Sequence, residues 1–212
     1  MYQPPHFVED DLARKQDFVR AFPFGLLVTA GSAGLMANGI PWLLEAGAGS
    51  GVLRGHVARA NGHWRACIGG TDALVVFQGP DHYITPSWYP TKQETHKVVP
   101  TWNYAMVQAR GVARAIEDPS WLHAQIRGLT DMMEGRRPEP WAVDDAPPPF
   151  VDAQVRGIVG IEIELRSLEG KWKASQNRQE ADRVGVVEGL ASLGTDDAAA
   201  MAALVLERGR PA

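Results

Sequence analysis

Cysteine is almost absent: Cys67 stands alone among 212 residues, so neither an internal disulfide nor a cysteine-based zinc cluster can form. Long apolar runs are also missing. No stretch approaches the ~18 apolar residues that a membrane-spanning helix needs. The N-terminus, with Glu9, Asp10 and Asp11, has neither the basic region nor the apolar region of a secretory signal, and the protein reads as cytoplasmic. Excess positive charge is lacking as well. A net charge of −4 removes the broad field that non-specific nucleic-acid binding uses, so direct DNA contact would require a local basic patch. What is present is a globular composition, 45% hydrophobic and 22% charged, which excludes disordered and collagen-like chains. Tryptophan is the exception. Seven occur, several beside Ser, Thr, Asn, Lys or Pro, where aromatic faces serve either planar ligands or ordinary packing.

Apolar spacing over residues 8–22 predicts an opening helix with Glu9 to Asp11 in its first turn. Strands are expected over 24–30, 35–44 and 52–57, joined by a hairpin at Gly31-Ser32-Ala33-Gly34 and a turn at Gly47, Gly49 and Gly51. A short helix over 60–66 precedes two strands, 73–78 and 82–85, separated by Gly79-Pro80-Asp81. Residues 86–100 read as a long loop, and 101–117 as a long strand with a bulge or bend at Gly111. Asp118-Pro119 supplies an N-cap and an N1 proline for a helix to about residue 133. The five prolines of 138–149 mark an interdomain linker or, preferably, a surface loop, because a further strand over 157–168 needs a sheet to join. Asn177 with Glu180 resembles a capping box for a helix to 193, and Thr195 caps a last Ala-rich helix. Meander order with helices at the edges predicts a mainly β, α+β fold: an antiparallel barrel with peripheral helices. The expected organisation is one domain over 1–190 with an Ala-rich helix and tail over 191–212.

Familiar catalytic signatures are missing. The Gly31–Gly39 segment fits neither a Walker loop nor a dinucleotide fingerprint, His56 and His63 lack a metalloprotease spacing, and Ser87 sits in Pro-Ser-Trp rather than a nucleophile elbow. Three polar-aromatic clusters remain. Gly55-His56-Val57-Ala58-Arg59-Ala60-Asn61 turns from a strand toward a helix and reads either as a phosphate seat or as a capped turn with a solvated Arg. Tyr83 to Pro90 presents hydroxyls and rings on a stiff segment, suited to a flat heteroaromatic ligand or to packing. Glu169 to Asn177 brackets Trp172 with Lys171 and Lys173, which either neutralise an anion or form a solvated turn.

Several segments together resemble the PaiB-like FMN-binding negative transcriptional regulators. They are Phe77-Gln-Gly-Pro80, Tyr83 to Pro90, Val99-Pro-Thr-Trp-Asn-Tyr104, Trp141 to Pro147 and Lys171-Trp-Lys-Ala-Ser-Gln-Asn177, with Met1-Tyr2-x-Pro4 and Gly55 to Asn61. The resemblance runs from residue 1 to about 190. It implies the antiparallel flavin split barrel shared with pyridoxamine-phosphate oxidases, a homodimer, and FMN between subunits. It further implies that His56, Arg59 and Asn61 lie in the phosphate-binding segment, that Tyr83, Ser87 and Trp88 lie near the isoalloxazine or ribityl chain, and that Lys171, Lys173 and Asn177 complete the site. No residue stands out as a general acid or base.

The functional expectation is a flavin-dependent redox protein or a flavin-linked negative regulator. For direct DNA contact the dense basic spots are Arg136-Arg137 and the Lys171–Arg178 segment, and no helix-turn-helix pattern is evident. Alternatives are a split barrel holding haem or a deazaflavin, or a regulator acting through a protein partner. For haem, His56, His82 or His96 could serve as an axial ligand, although no spacing selects one.

Overall fold

The computed structural model describes residues 1–31, 34–47 and 49–209. Among them run β1 (Val8–Glu9), α1 (Leu12–Ala21), β2 (Phe24–Gly31), β3 (Gly34–Pro41), β4 (Leu43–Glu45), β5 (Val52–Ala58), α2 (His63–Ala66) and β6 (Thr71–Ile84). There follow α3 (Thr91–Thr95), β7 (Thr101–Ile116), α4 (Pro119–Glu134), α5 (Pro148–Arg156), β8 (Ile158–Lys173), α6 (Glu180–Ala191) and α7 (Asp196–Arg208). Among the described residues eight strands pair in the order β3-β2-β6-β7-β8-β5-β4, with β1 on β8. All registered pairs are antiparallel.

The chain forms two compact units. One comprises Met1–Asp11, Gln78–Val107 and Glu169–Ala212, the other Leu12–Phe77 and Gln108–Leu168. β6, β7 and β8 each run from one unit into the other. The unit built on 12–77 and 108–168 buries Val19, Leu27, Ile40, Trp42, Leu53, Val75, Phe77, Ile161 and Ile163. A second cluster there, Leu122, Val143, Val151 and Val155, joins α4 to α5. The other unit buries Ile84, Tyr89, Ala105, Trp172, Val186, Leu190 and Met201.

Several expectations are corrected. The opening helix starts only at Leu12, because Pro5–Phe7 form a 3-10 turn and Val8-Glu9 pair with Lys171 and Gly170. Glu9 therefore precedes the helix and is a buried partner of Arg208 (2.5 Å). Gly79-Pro80-Asp81 does not break β6: proline's fixed φ of about −65° suits extended backbone and costs the strand one donor. The 86–100 loop carries a 3-10 turn, Pro86–Trp88, and α3. The proline-rich 138–149 segment stays within one unit and is a loop, but its last prolines open α5, which was not expected; proline at a helix's first turn forfeits only orphan N–H groups. Gln179, not Asn177, is the N-cap of α6.

Other local readings hold. Asp118 Oδ1 accepts from Trp121 N (2.7 Å) and Thr195 Oγ1 from Ala198 N (3.3 Å), capping α4 and α7. Gly111, expected at a bulge or bend, lies within the continuous strand β7 and is required by close approach instead, since a Cβ there would lie 2.2 Å from the carbonyl oxygen of Glu164. The expected turn residues Ser32 and Ala33 fall outside the described residues, although Gly31 pairs with Gly34 across the hairpin.

Candidate functional site

The nine expected site residues divide between the two units. His56, Arg59 and Asn61 belong to one; Tyr83, Ser87, Trp88, Lys171, Lys173 and Asn177 belong to the other.

β5 delivers the first group. His56 Nδ1–H donates to Gln125 Oε1 (2.7 Å) on α4, an amide oxygen that can only accept. Three of the five N–H donors of the Arg59 guanidinium are taken by protein acceptors: Nη1 to Glu117 (2.5 Å), Nε to the Arg156 carbonyl (3.1 Å) and Nη2 to the Ile158 carbonyl (3.2 Å). Asn61 Oδ1 accepts from His63 N (3.1 Å), which tightens the turn into α2. Arg59 lines a cleft of about 510 Å³ with Glu117, Leu122, His123, Asp152, Val155 and Arg156. That lining offsets its cations with carboxylates, His123 pairing with Asp152 (3.1 Å), so it has no clear preference for an anion. In the same unit, buried His63 accepts at Nδ1 from Asn38 (2.8 Å) and donates from Nε2 to Thr29 (2.9 Å), and burial lowers its pKa.

The second group has a different electrostatic character. Lys171 and Lys173 share one face of β8, because side chains two apart on a strand project the same way. Lys171 is buried, donates to the Tyr2 carbonyl (3.0 Å), and lies 5.4 and 5.3 Å from the ring centroids of Tyr2 and Tyr104. Lys173 donates to Thr101 Oγ1 and to the Trp102 carbonyl (2.7 Å). Burial foremost, then Lys171 and Arg178, lowers its pKa from the usual lysine value. The Arg178 guanidinium lies 4.9 Å from the centroid of the Tyr89 ring. None of these three cations has a carboxylate ion-pair partner among the described residues. Such a cluster is costly unless an anion joins it.

Aromatic rings stand beside it. Trp102 and Tyr104 share one face of β7, and Trp102 meets Tyr83 edge-on, centroids 6.1 Å apart. Asn103, on the opposite face, is buried; its Nδ2 donates to Ser175 Oγ (2.9 Å) while its Oδ1 has no partner among the described residues. Ser175 holds φ at +60°, turning the chain after β8. Asn177 and Ser87 are exposed, the Ser87 N–H donating to Thr85 Oγ1 (3.2 Å). Trp88 lies flat on Gly189, where a Cβ would be 2.3 Å from its ring, so this Trp packs a turn against α6. Trp102, Tyr104 and Arg178 were missing from the expected set, although the first two lie inside the Val99–Tyr104 motif and Arg178 directly follows Asn177.

Residues 1–167 match the family FMN_bind_2, described as "Putative FMN-binding domain". The chain belongs to this FMN-binding family. An uncharacterised protein of Emericella nidulans, AN0679, is 37% identical over 99% of this chain and 98% of its own length. The Bacillus subtilis "Protease synthase and sporulation protein PAI 2" is 31% identical over 98% of each chain. The PaiB-like resemblance of the motifs is thereby established. Lys171, Lys173, Asn177 and Arg178 lie beyond residue 167 but within the span shared with these relatives. Among solved structures, a conserved hypothetical Mycobacterium tuberculosis protein, Rv2991, superposes with TM-score 0.60 at 17% identity over 85% of this chain and 95% of its own. An FAD- and haem-binding protein of Mycobacterium smegmatis gives 0.57 at 15%, covering 78% of this chain and 73% of that one. At these identities the likeness concerns fold, and the fold class is the expected antiparallel split barrel with helices.

Proposed function

We propose that this FMN-binding family member holds FMN through the cation cluster Lys171, Lys173 and Arg178, flanked by Tyr83, Trp102 and Tyr104, and works as a flavin-dependent redox protein. The supporting observation is that, among the described residues, those three partly buried cations have no carboxylate ion-pair partner. Two or three charge-assisted hydrogen bonds at about 1.5–3 kcal/mol each are of the size that micromolar binding, about 8 kcal/mol, requires when ring contacts are added. FMN supplies the hydride chemistry when bound; the chain supplies placement and electrostatics. Asn177 and Ser87 are proposed as exposed polar neighbours, Trp88 as the packed support of the Tyr83–Pro90 segment, and His56, Arg59 and Asn61 as a separate polar segment in the other unit. Residues 1–190 are proposed as the cofactor-binding part, with 191–212 as an appended helix and tail.

A homodimer fits the outer face of β2 and β3. Phe24, Leu26, Val28 and Ala30 face outward with Leu35 and Ala37, and Leu35 is 80% exposed, an apolar extent that a partner copy would cover. No helix of the described residues is long and apolar enough to cross a membrane, and a cytoplasmic location is proposed. The likeness to the Bacillus protein favours a second reading, a regulatory role linked to flavin state. For direct DNA contact, Arg137 of one basic spot pairs with Glu134 (3.1 Å), and the other, Lys171–Arg178, is the one proposed to hold FMN.

Purified protein titrated with FMN and with riboflavin tests the first reading. Micromolar FMN binding with a marked preference over riboflavin is expected, and Lys171→Met with Lys173→Met should abolish that preference. A protein that takes up no flavin contradicts it. For the second, a shift assay on the protein's own upstream DNA should show affinity falling steeply with salt; no complex at low salt excludes direct contact.

A further inference from the structure

Trp102 is not explained by the fold of its own unit. It is 54% exposed near the start of β7, where its strand neighbours Asn103 and Ala105 are buried. A lone exposed aromatic needs no explanation, but this one has company. Tyr83, 44% exposed, meets it edge-on, forming two aromatic walls at 69° to each other. The Trp102 backbone carbonyl accepts from Lys173, so the ring's position is coupled to a cation that has no carboxylate ion-pair partner among the described residues. Two aromatic walls beside a cation that has no carboxylate ion-pair partner among the described residues suit a planar anionic molecule.

We infer that Trp102, with Tyr83 at its edge, is the wall against which the flavin ring system rests, and that Lys173 positions it through the Trp102 carbonyl. This rests on the proposed FMN binding at the cation cluster and adds the residue that recognises the ring rather than the phosphate. Lys171, Lys173 and Arg178 respond to the anionic end, whereas Trp102 responds to aromatic surface, which FMN and riboflavin share.

That division makes the two readings separable. Trp102→Leu and Trp102→Phe are titrated with FMN and with riboflavin by flavin fluorescence, with thermal midpoints and sedimentation run in parallel. Because Trp102 is more than half exposed, both variants should keep the wild-type midpoint. Trp102→Leu should weaken FMN and riboflavin by the same factor, about tenfold, and Trp102→Phe should restore most of the loss. Wild-type affinity for both flavins in Trp102→Leu overturns the inference while leaving the cation-cluster reading in place. Weakened self-association with unchanged flavin affinity also overturns it, assigning the ring to an interface between copies. A wild-type protein that binds neither flavin overturns both readings together.

Discussion

His63 is a histidine that the fold keeps neutral. Nδ1 accepts from Asn38, Nε2–H donates to Thr29, and burial lowers the pKa. Above the ordinary histidine value neither folded nor unfolded chain is charged there, and the contribution to stability is complete. As pH falls through about 6.5, the unfolded chain takes up a proton that the folded one resists, so stability declines toward acid. Urea midpoints measured from about pH 7 to about pH 5 should fall for the wild type and fall less for His63→Gln. Thr29→Val, which strands a buried N–H, should cost about 1–3 kcal/mol at neutral pH. Arg59 illustrates the same attention to partners. The sequence segment around it suggests a phosphate seat, yet Glu117 and two carbonyls occupy the guanidinium. Arg59→Ala is therefore expected to lower stability by about 1 kcal/mol, visible as a reduced thermal midpoint, while reducing FMN affinity less than Lys173→Met does. No local pattern reveals these partners, because Glu117, Arg156 and Ile158 are distant in sequence and meet Arg59 only in the fold.

Elements with local punctuation were legible. Asp118-Pro119 and Thr195 announce α4 and α7 through cap chemistry within three residues of chain, and the β2–β3 hairpin follows from the β-rich run Phe24–Ala30 that ends at a Gly-containing turn signal. Elements decided by distant partners were not. Val8-Glu9 becomes a strand because β8 offers an edge, and β6 runs through Gly79-Pro80 because pairing outweighs one lost donor. The Lys171–Asn177 cluster was readable as polar-aromatic, but its third cation, Arg178, acquires meaning only from the turn at Ser175. Trp88 is the converse case: its motif suggests a ligand contact, and the fold stacks it on the Gly185–Gly189 face of α6. Gly189→Ala should place a methyl group against that ring and destabilise the protein by about 1–3 kcal/mol, with a changed near-ultraviolet circular dichroism signal. Asp118→Ala, removing the α4 cap, should cost about 1 kcal/mol in the same denaturation assay.

On the scale of the whole molecule, charge distribution matters more than net charge. The chain is acidic overall, yet one unit gathers, on and beside the end of β8, three cations that have no carboxylate ion-pair partner among the described residues, with aromatic rings along the adjoining end of β7. Overall acidity weakens the case for direct DNA contact without weakening the case for a small anionic cofactor. Ligand binding should also report on folding: FMN at 100 times its dissociation constant should stabilise the protein by about 2.7 kcal/mol and raise its thermal midpoint, an effect lost in the Lys171→Met, Lys173→Met variant. The most direct measurement is the pair of fluorescence titrations, FMN against riboflavin, on wild type and that double variant. The account predicts micromolar FMN binding by the wild type, weaker riboflavin binding, and no discrimination between the two once both lysines are gone. Equal FMN affinity in wild type and double variant would contradict it.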